Sequence, residues 1–190
     1  MDGALDVEEF ERCIRGGGVA VFPTDTLYGI GCRVGDDAAV ERVYALKGRS
    51  REKPSALMYF SLAAALEAHP DLGPRTRAAL ERLLPGPVLA VLPGGQGVRV
   101  PALDGPPAGA GVTVLQTSAN LSGGPDPRRL EDVPESIRAG ADLVLDGGEL
   151  PGVPSTVVDL SRYESGQWAV LREGAVSHAQ LDQMLDGSTR

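Results

Sequence analysis

The sequence is poor in cysteine, histidine and aromatic side chains, and each shortage excludes a class of protein. Two cysteines, Cys13 and Cys32, are too few and too far apart for a zinc knuckle or a CxxC redox pair, so we expect two reduced thiols. The two histidines, His69 and His178, form neither an HExxH nor a His-x-x-x-His pair, and we therefore expect no metal held by the protein. Aromatic residues make up only 4% of the chain, which leaves Ala, Val and Leu to fill most of the core.

Long apolar runs and a basic leader are also missing. No stretch is apolar enough for a membrane span, and residues 1–12 are acidic, unlike a signal peptide. These absences predict a cytoplasmic protein with no membrane partner. The net charge of −8 argues against a protein that coats nucleic acid, although it leaves room for a local basic pocket.

Three common catalytic signatures are absent as well. The sequence contains no GxxxxGK[ST] loop, no GxGxxG fingerprint and no GxSxG elbow. Because no covalent nucleophile is indicated, we expect any chemistry to depend on positioning and electrostatics.

The apolar pattern predicts one α/β domain over residues 1–190, with a twisted, mixed parallel and antiparallel sheet flanked by helices. A loop is predicted at 23–31 and a mobile, Gly- and Pro-rich flap at 94–111. The predicted helices begin near residue 6 and at 36 or 37, and the later ones span 62–68, 75–84, 133–139 and 176–185. The predicted strands are 19–22, 56–60, 88–92, 98–100, 112–115, 143–145, 156–160 and 168–171.

Residues 47–54 contain the most distinctive charge pattern. The only two lysines of the chain, Lys47 and Lys53, alternate there with Arg49 and Arg51. In an extended segment alternate side chains point the same way, so all four cations can face one ligand. Ammonium point charges and bidentate guanidinium groups together suit a triphosphate. From composition alone, a solvated charged loop is the more ordinary interpretation.

Four further polar segments lie at the ends of predicted strands. They are 23–29, 116–123, 154–159 and 171–174. Each is also typical of a turn or a helix cap. Together with 47–54 they indicate a ligand crevice, because α/β sheets assemble such crevices from strand ends.

In this order, the polar segments resemble the YrdC-like family, whose members include threonylcarbamoyl-AMP synthases. No single motif is decisive, but seven in the right order are specific, and they extend over most of the chain. The matching motifs are Pro23-Thr24-Asp25, Lys47-Gly48-Arg49 with Lys53-Pro54, Pro85-Gly86-Pro87, Val98-Arg99-Val100-Pro101, residues 118–123 (SANLSG), residues 155–159 (STVVD) and residues 171–174 (LREG).

The resemblance implies a YrdC-like fold that encloses a basic cavity. It implies ATP, L-threonine and bicarbonate as substrates, threonylcarbamoyl-AMP and pyrophosphate as products, and Mg²⁺ carried by the ATP. Partner proteins would then use the intermediate to modify tRNA, so that tRNA contact is indirect. It further implies the short form of the family, without an extra C-terminal domain.

The resemblance also assigns residue roles. Lys47 and Arg49 are expected to be catalytic. The residues expected to bind ATP are Lys47, Arg49, Lys53, Ser118, Asn120 and Arg172. The residues expected to bind threonine are Thr24, Arg99, Thr117 and Ser155.

Three residues depart from the family pattern. Leu89 replaces a frequent threonine, Asp126 replaces a common serine, and Met58 stands where some relatives have a polar side chain. Two other functions stay open on the sequence: a carbamoyl-adenylate transfer domain, and an RNA-binding module that uses a basic concavity.

Overall fold

The computed structural model describes residues 7–48, 50, 55–103 and 109–186. Its α-helices are α1 (Val7–Arg15), α2 (Asp37–Lys47), α3 (Leu62–Ala68), α4 (Pro74–Leu83), α5 (Glu135–Gly140) and α6 (His178–Leu185). Its strands are β1 (Val19–Pro23), β2 (Tyr28–Arg33), β3 (Ala56–Met58), β4 (Val88–Val91), β5 (Gly97–Arg99), β6 (Val114–Ser118), β7 (Leu143–Val144), β8 (Thr156–Asp159) and β9 (Ala169–Arg172).

Within the described residues these strands form one sheet in the order β7-β1-β2-β6-β3-β5-β4-β8-β9. The pairs β1–β7, β3–β5 and β4–β8 are parallel, and the other neighbours are antiparallel. The predicted mixed sheet flanked by helices is therefore confirmed.

The predicted loop at 23–31 is wrong in its second half, because β2 begins at Tyr28. Two glycines in β2 lower its apparent strand propensity, and long-range packing explains why they are there. A Cβ at Gly29 would lie 2.7 Å from the side-chain Nε2 of Gln116, and one at Gly31 would lie 2.8 Å from the Leu115 carbonyl oxygen. Both glycines thus allow β6 to pack tightly against β2.

The α2 helix ends where the sequence predicts. The Asp36 side chain accepts a hydrogen bond from the Ala39 backbone N–H and caps its N-terminus. Gly48 ends it in the left-handed conformation, with φ of 57°. The last helical residue, Lys47, falls on the same face as the buried Val43 and Tyr44, and this spacing directs its side chain inward.

The half of the sheet around β4 and β8 has one covered face and one open face. In β4, Val88 and Ala90 pack with α3, α4 and α6, whereas Leu89 and Val91 point the other way. Alternation along a strand imposes this division, and β8 repeats it. The face opposite α3, α4 and α6 is the floor of a cavity.

The predicted strand at 98–100 is present as β5, so the predicted flap at 94–111 is wrong where the two overlap. This strand pairs with β3 on one side and with β4 on the other, in the middle of the sheet. Residues 104–108 of the predicted flap lie outside the described residues. Among the described helices none is long and apolar enough to cross a membrane.

Candidate active site

A cavity of about 300 Å³ lies on the open face of β3, β4, β5, β6, β8 and β9. Pockets for small ligands commonly begin at this size. Its wall combines apolar side chains with polar groups from the strand ends. The lining residues are Thr26, Leu27, Ser55, Ala56, Leu89, Val91, Gly95, Gly97, Arg99, Gln116, Thr117, Ser118, Asp126, Pro154, Ser155, Val157, Leu171 and Arg172.

At one end, Arg99 is surrounded by the loop that follows β1. Its Nη2 donates to Thr26 Oγ1 at 2.6 Å and to Thr24 Oγ1 at 3.3 Å, and it forms an ion pair with Asp25. The other oxygen of the Asp25 carboxylate accepts the backbone N–H of Ala102 at 3.0 Å. The ion pair is buried, because its side chains are only 6% and 8% exposed.

The Arg99 guanidinium still has unused hydrogen-bonding capacity. Its Nε is buried and has no hydrogen-bond partner among the described residues. Burial lowers the pKa of Arg99, Asp25 raises it, and Arg172 lowers it. A buried donor without a partner costs free energy, so this N–H favours an acceptor supplied by a ligand.

Thr24 supports the loop from behind. Its hydroxyl donates to the Leu27 carbonyl at 2.7 Å and accepts the backbone N–H groups of Thr26 and Leu27. Thr26 is the threonine of this loop that lines the cavity. The sequence expectation selected Thr24. Thr24 does not line the cavity itself, but it bonds to Thr26 and Arg99, which do.

At the other end, the 118–120 turn is held by Lys47. The Lys47 ammonium donates to the carbonyl of Ser118, to the carbonyl of Asn120 at 2.6 Å and to Asn120 Oδ1 at 3.1 Å. The Ser118 hydroxyl donates to the same Oδ1 at 2.7 Å, and Asn120 Nδ2 donates to the Gly124 carbonyl. Only 1% of Lys47 is exposed, so its charge lies under the turn.

A second arginine lies on the rim formed by β8 and β9. Nη2 of Arg172 donates to the Ser155 carbonyl at 2.7 Å and lies 3.5 Å from the Ser155 hydroxyl. Arg172 is exposed, whereas Ser155 is buried. The guanidinium therefore has a fixed position and remains open to an anion in the cavity.

The structure brings together many of the predicted site residues. Arg99, Thr117, Ser118, Ser155 and Arg172 line the cavity. The other described ones, Thr24, Lys47 and Asn120, bond to residues that line it. Arg49 and Lys53 lie outside the described residues, and their roles stay predictions.

The predicted residue roles left out Thr26 and Gln116, although both lie in the polar segments 23–29 and 116–123. Both are buried polar residues of the cavity wall. For Gln116 a signal existed: it stands two residues after the apolar Val114 of β6, and hence on the same inward face.

The three departures from the family pattern have different locations. Leu89 lines the cavity and adds apolar surface to its wall, and Asp126 lines it as an exposed carboxylate. Met58 is fully buried and packs with Phe10 and Phe22, away from the lining. The charged groups of the described lining are Arg99, Arg172 and Asp126, so the basic cavity stays a prediction.

No group of three or more His, Cys, Asp or Glu side chains among the described residues is arranged to hold a metal ion. The two cysteines are unpaired, and burial raises the pKa of both, that of Cys32 to about 11. Neither thiol lines the cavity.

Comparison with known proteins agrees with this geometry. The model of the Sua5/YciO/YrdC family, described as telomere recombination, matches residues 12–174. A Nitrosococcus oceani protein named threonylcarbamoyl-AMP synthase is 35% identical over 167 residues, which cover 78% of this chain and 89% of that protein. A mouse protein of the same name is 34% identical over 185 residues, which cover 85% of this chain and 64% of the mouse protein.

A solved structure is also similar: Sua5 of Pyrococcus abyssi complexed with L-threonine. It has a TM-score of 0.82 and 28% identity to this chain, and the match covers 94% of this chain and 56% of that one. The chain thus spans little more than half of the P. abyssi protein and less than two thirds of the mouse protein. The family match nevertheless extends over most of its length, and the chain belongs to the Sua5/YciO/YrdC family.

Proposed function

We propose that the chain is a threonylcarbamoyl-AMP synthase, which forms this adenylate and pyrophosphate from ATP, L-threonine and bicarbonate. The observation that carries the proposal is one cavity with a cation at or beneath each end: Arg99 at one end, and Lys47 under the 118–120 turn at the other. The family relatives named for this activity, and the similar structure complexed with L-threonine, support the same assignment.

The Arg99 end suits an amino-acid carboxylate. Asp25 already neutralises the arginine, so attraction by net charge is weak there. Recognition instead comes from the unpartnered Nε–H, which is fixed in direction by the bonds of Nη2 to Thr24 and Thr26. A guanidinium held in this way matches the planar geometry of a carboxylate.

The opposite end suits a phosphate. The Lys47 charge lies under the 118–120 turn. Arg172 is exposed on the rim formed by β8 and β9, near enough to Arg99 to lower its pKa. At the 118–120 turn, Ser118 adds a hydroxyl on the cavity surface. We assign Arg49 and Lys53 to the triphosphate by resemblance alone. Mg²⁺ would arrive with the ATP as part of the substrate.

The chemistry requires no protein nucleophile. Bicarbonate takes up a proton and loses water to give CO₂, and the threonine amine attacks CO₂ and loses a proton to give a carbamate. A carbamate oxygen then attacks the α-phosphorus as the bond to the pyrophosphate oxygen breaks. The sum is ATP, threonine and bicarbonate to threonylcarbamoyl-AMP, pyrophosphate and water. Alignment and charge neutralisation supply the catalysis. Partner proteins would transfer the threonylcarbamoyl group to tRNA.

Pyrophosphate release tests the proposal. Purified protein with ATP, Mg²⁺ and bicarbonate is incubated with single amino acids, and we expect release to depend on threonine. Release with no amino-acid dependence would overturn the synthase assignment. Tight, salt-sensitive binding of RNA without turnover would favour the RNA-binding alternative.

A further inference from the structure

Gln116 is a buried polar side chain that none of the site contacts uses. It is 5% exposed and lines the cavity from the middle of β6. No other group among the described residues forms a hydrogen bond with its side-chain amide. Neither amide atom is among the fully buried side-chain atoms without a partner, so the amide is open to the cavity, where a ligand can use its donors and its acceptor.

The amide is fixed in place by its neighbours. Its Nε2 packs against Gly29 of β2, where a Cβ would come within 2.7 Å. On its other side, the paired residue in β3 is the small Ala56, which in turn pairs with Gly97. Ala56 has no side-chain atom beyond Cβ that could cover the amide, whereas the Leu89 side chain lies over Gly97, 3.0 Å from the place of a Cβ.

The strand register puts Gln116 between the two ends of the cavity. Gln116, Ala56 and Gly97 form one row across β6, β3 and β5. Ser118 lies two residues beyond Gln116 along β6. Arg99 lies two residues beyond Gly97 along β5, which is on the opposite side of this row. A ligand that reaches from Arg99 to the 118–120 turn must pass over this row.

We propose that the Gln116 carboxamide hydrogen-bonds the carbamate that links the amino acid to the α-phosphate, an assignment that rests on the proposed function. With the carboxylate at Arg99 and the phosphate at the turn, the carbamate is the part of the intermediate in the middle. Its oxygens are acceptors and its nitrogen carries one hydrogen. A carboxamide offers two donors and one acceptor and therefore matches both.

Gln116→Leu tests the assignment, since leucine has a similar volume and no polar atoms. We expect the apparent KM for bicarbonate to rise roughly 10-fold or more, the loss expected for a hydrogen bond to a charged group. The KM values for ATP and threonine should stay within about 2-fold, because neither end of the cavity is altered. Gln167→Leu, at an exposed glutamine, is the matched control.

Urea unfolding separates this role from a structural one. An unpartnered amide does not hold the fold together, so the unfolding midpoint of Gln116→Leu should equal or exceed that of the wild type. If the leucine variant is poorly folded, Gln116→Met provides the same measurement with an unbranched side chain.

An unchanged KM for bicarbonate, or a rise confined to ATP or threonine, would overturn the carbamate assignment and leave the proposed activity standing. A wild-type protein that releases no threonine-dependent pyrophosphate would overturn both. A selective rise in the bicarbonate KM with an intact fold supports the proposal.

Discussion

The buried cations at the two ends of the cavity differ in their hydrogen-bond partners. At the 118–120 turn, the ammonium of Lys47 directs hydrogen bonds to three oxygens of Ser118 and Asn120 within the protein. At the other end, Arg99 places its bonds on one nitrogen, Nη2, and its buried Nε has no partner among the described residues. Lys47 thus stabilises a turn, whereas Arg99 has a donor that lacks a partner among these residues, and we assign this donor to a ligand.

This difference shows that burial of a charge does not by itself identify a ligand contact. Lys47 is more buried than Arg99, yet the direction of its donors assigns it to the support of the turn. Two observations together distinguish Arg99: it lines the cavity, and its buried Nε has no partner in the described part of the chain. Arg138, which also has a buried Nε without such a partner, does not line the cavity.

Of the variants that test this difference, Arg99→Met should have the largest effect on stability and on turnover. It leaves the buried Asp25 carboxylate without its cation, so the free energy of unfolding should fall by about 3–5 kcal/mol. Turnover with threonine should fall by roughly 100-fold or more, as for the loss of a buried charge contact. Urea unfolding and threonine-dependent pyrophosphate release measure the two effects.

The double variant Arg99→Met with Asp25→Asn separates the effect on stability from the effect on turnover. Removal of both charges should restore much of the lost stability, because no uncompensated charge remains. Threonine turnover should stay low. A double variant with the wild-type KM for threonine would show that Arg99 only pairs with Asp25.

Lys47→Met comes next in expected size. It retains the apolar stem and removes the donors to Ser118 and Asn120, and buried carbonyls left without partners should cost about 1–3 kcal/mol of stability. Because the turn lies at the phosphate end, the KM for ATP should rise while that for threonine changes little.

Lys47→Arg is the matched control for charge. A planar guanidinium cannot place its donors as a compact ammonium does, so this variant should also raise the KM for ATP. Wild-type ATP kinetics for Lys47→Arg would mean that charge alone matters, and the contrast between the two ends would then be wrong.

Local signals in the sequence predicted α2 well and β2 poorly. Asp36 and Gly48 are capping residues that act within one turn, so the helix boundaries follow from nearby residues. The β2 strand depends instead on packing between its glycines and β6, which lies far away in the sequence. Such tertiary contacts override local propensity.

The candidate site follows the same rule. The motif order predicted that residues 118–120, Arg99, Ser155 and Arg172 belong to one site, and the cavity brings them together. The charge alternation in 47–54 suggested a direct phosphate contact for Lys47, but the buried face of α2 turns it inward. Only the strand register and the contacts could show that Gln116, and not Thr24, reaches the cavity surface.

Asp126→Ser should have the smallest effect. It tests whether a charge other than Lys47 and Arg99 changes the KM for ATP. The exposed Asp126 carboxylate lines the cavity. It would repel a triphosphate bound there as we propose, so its removal should lower the KM for ATP by about 2-fold at low salt. Salt screens exposed charges, and the difference should largely vanish at an ionic strength of about 0.5 M. Asp71→Ser, at an exposed carboxylate that does not line the cavity, is the control. A higher KM for ATP in Asp126→Ser would instead mean that this carboxylate helps to bind the nucleotide, through its hydroxyls, its base or its magnesium ion.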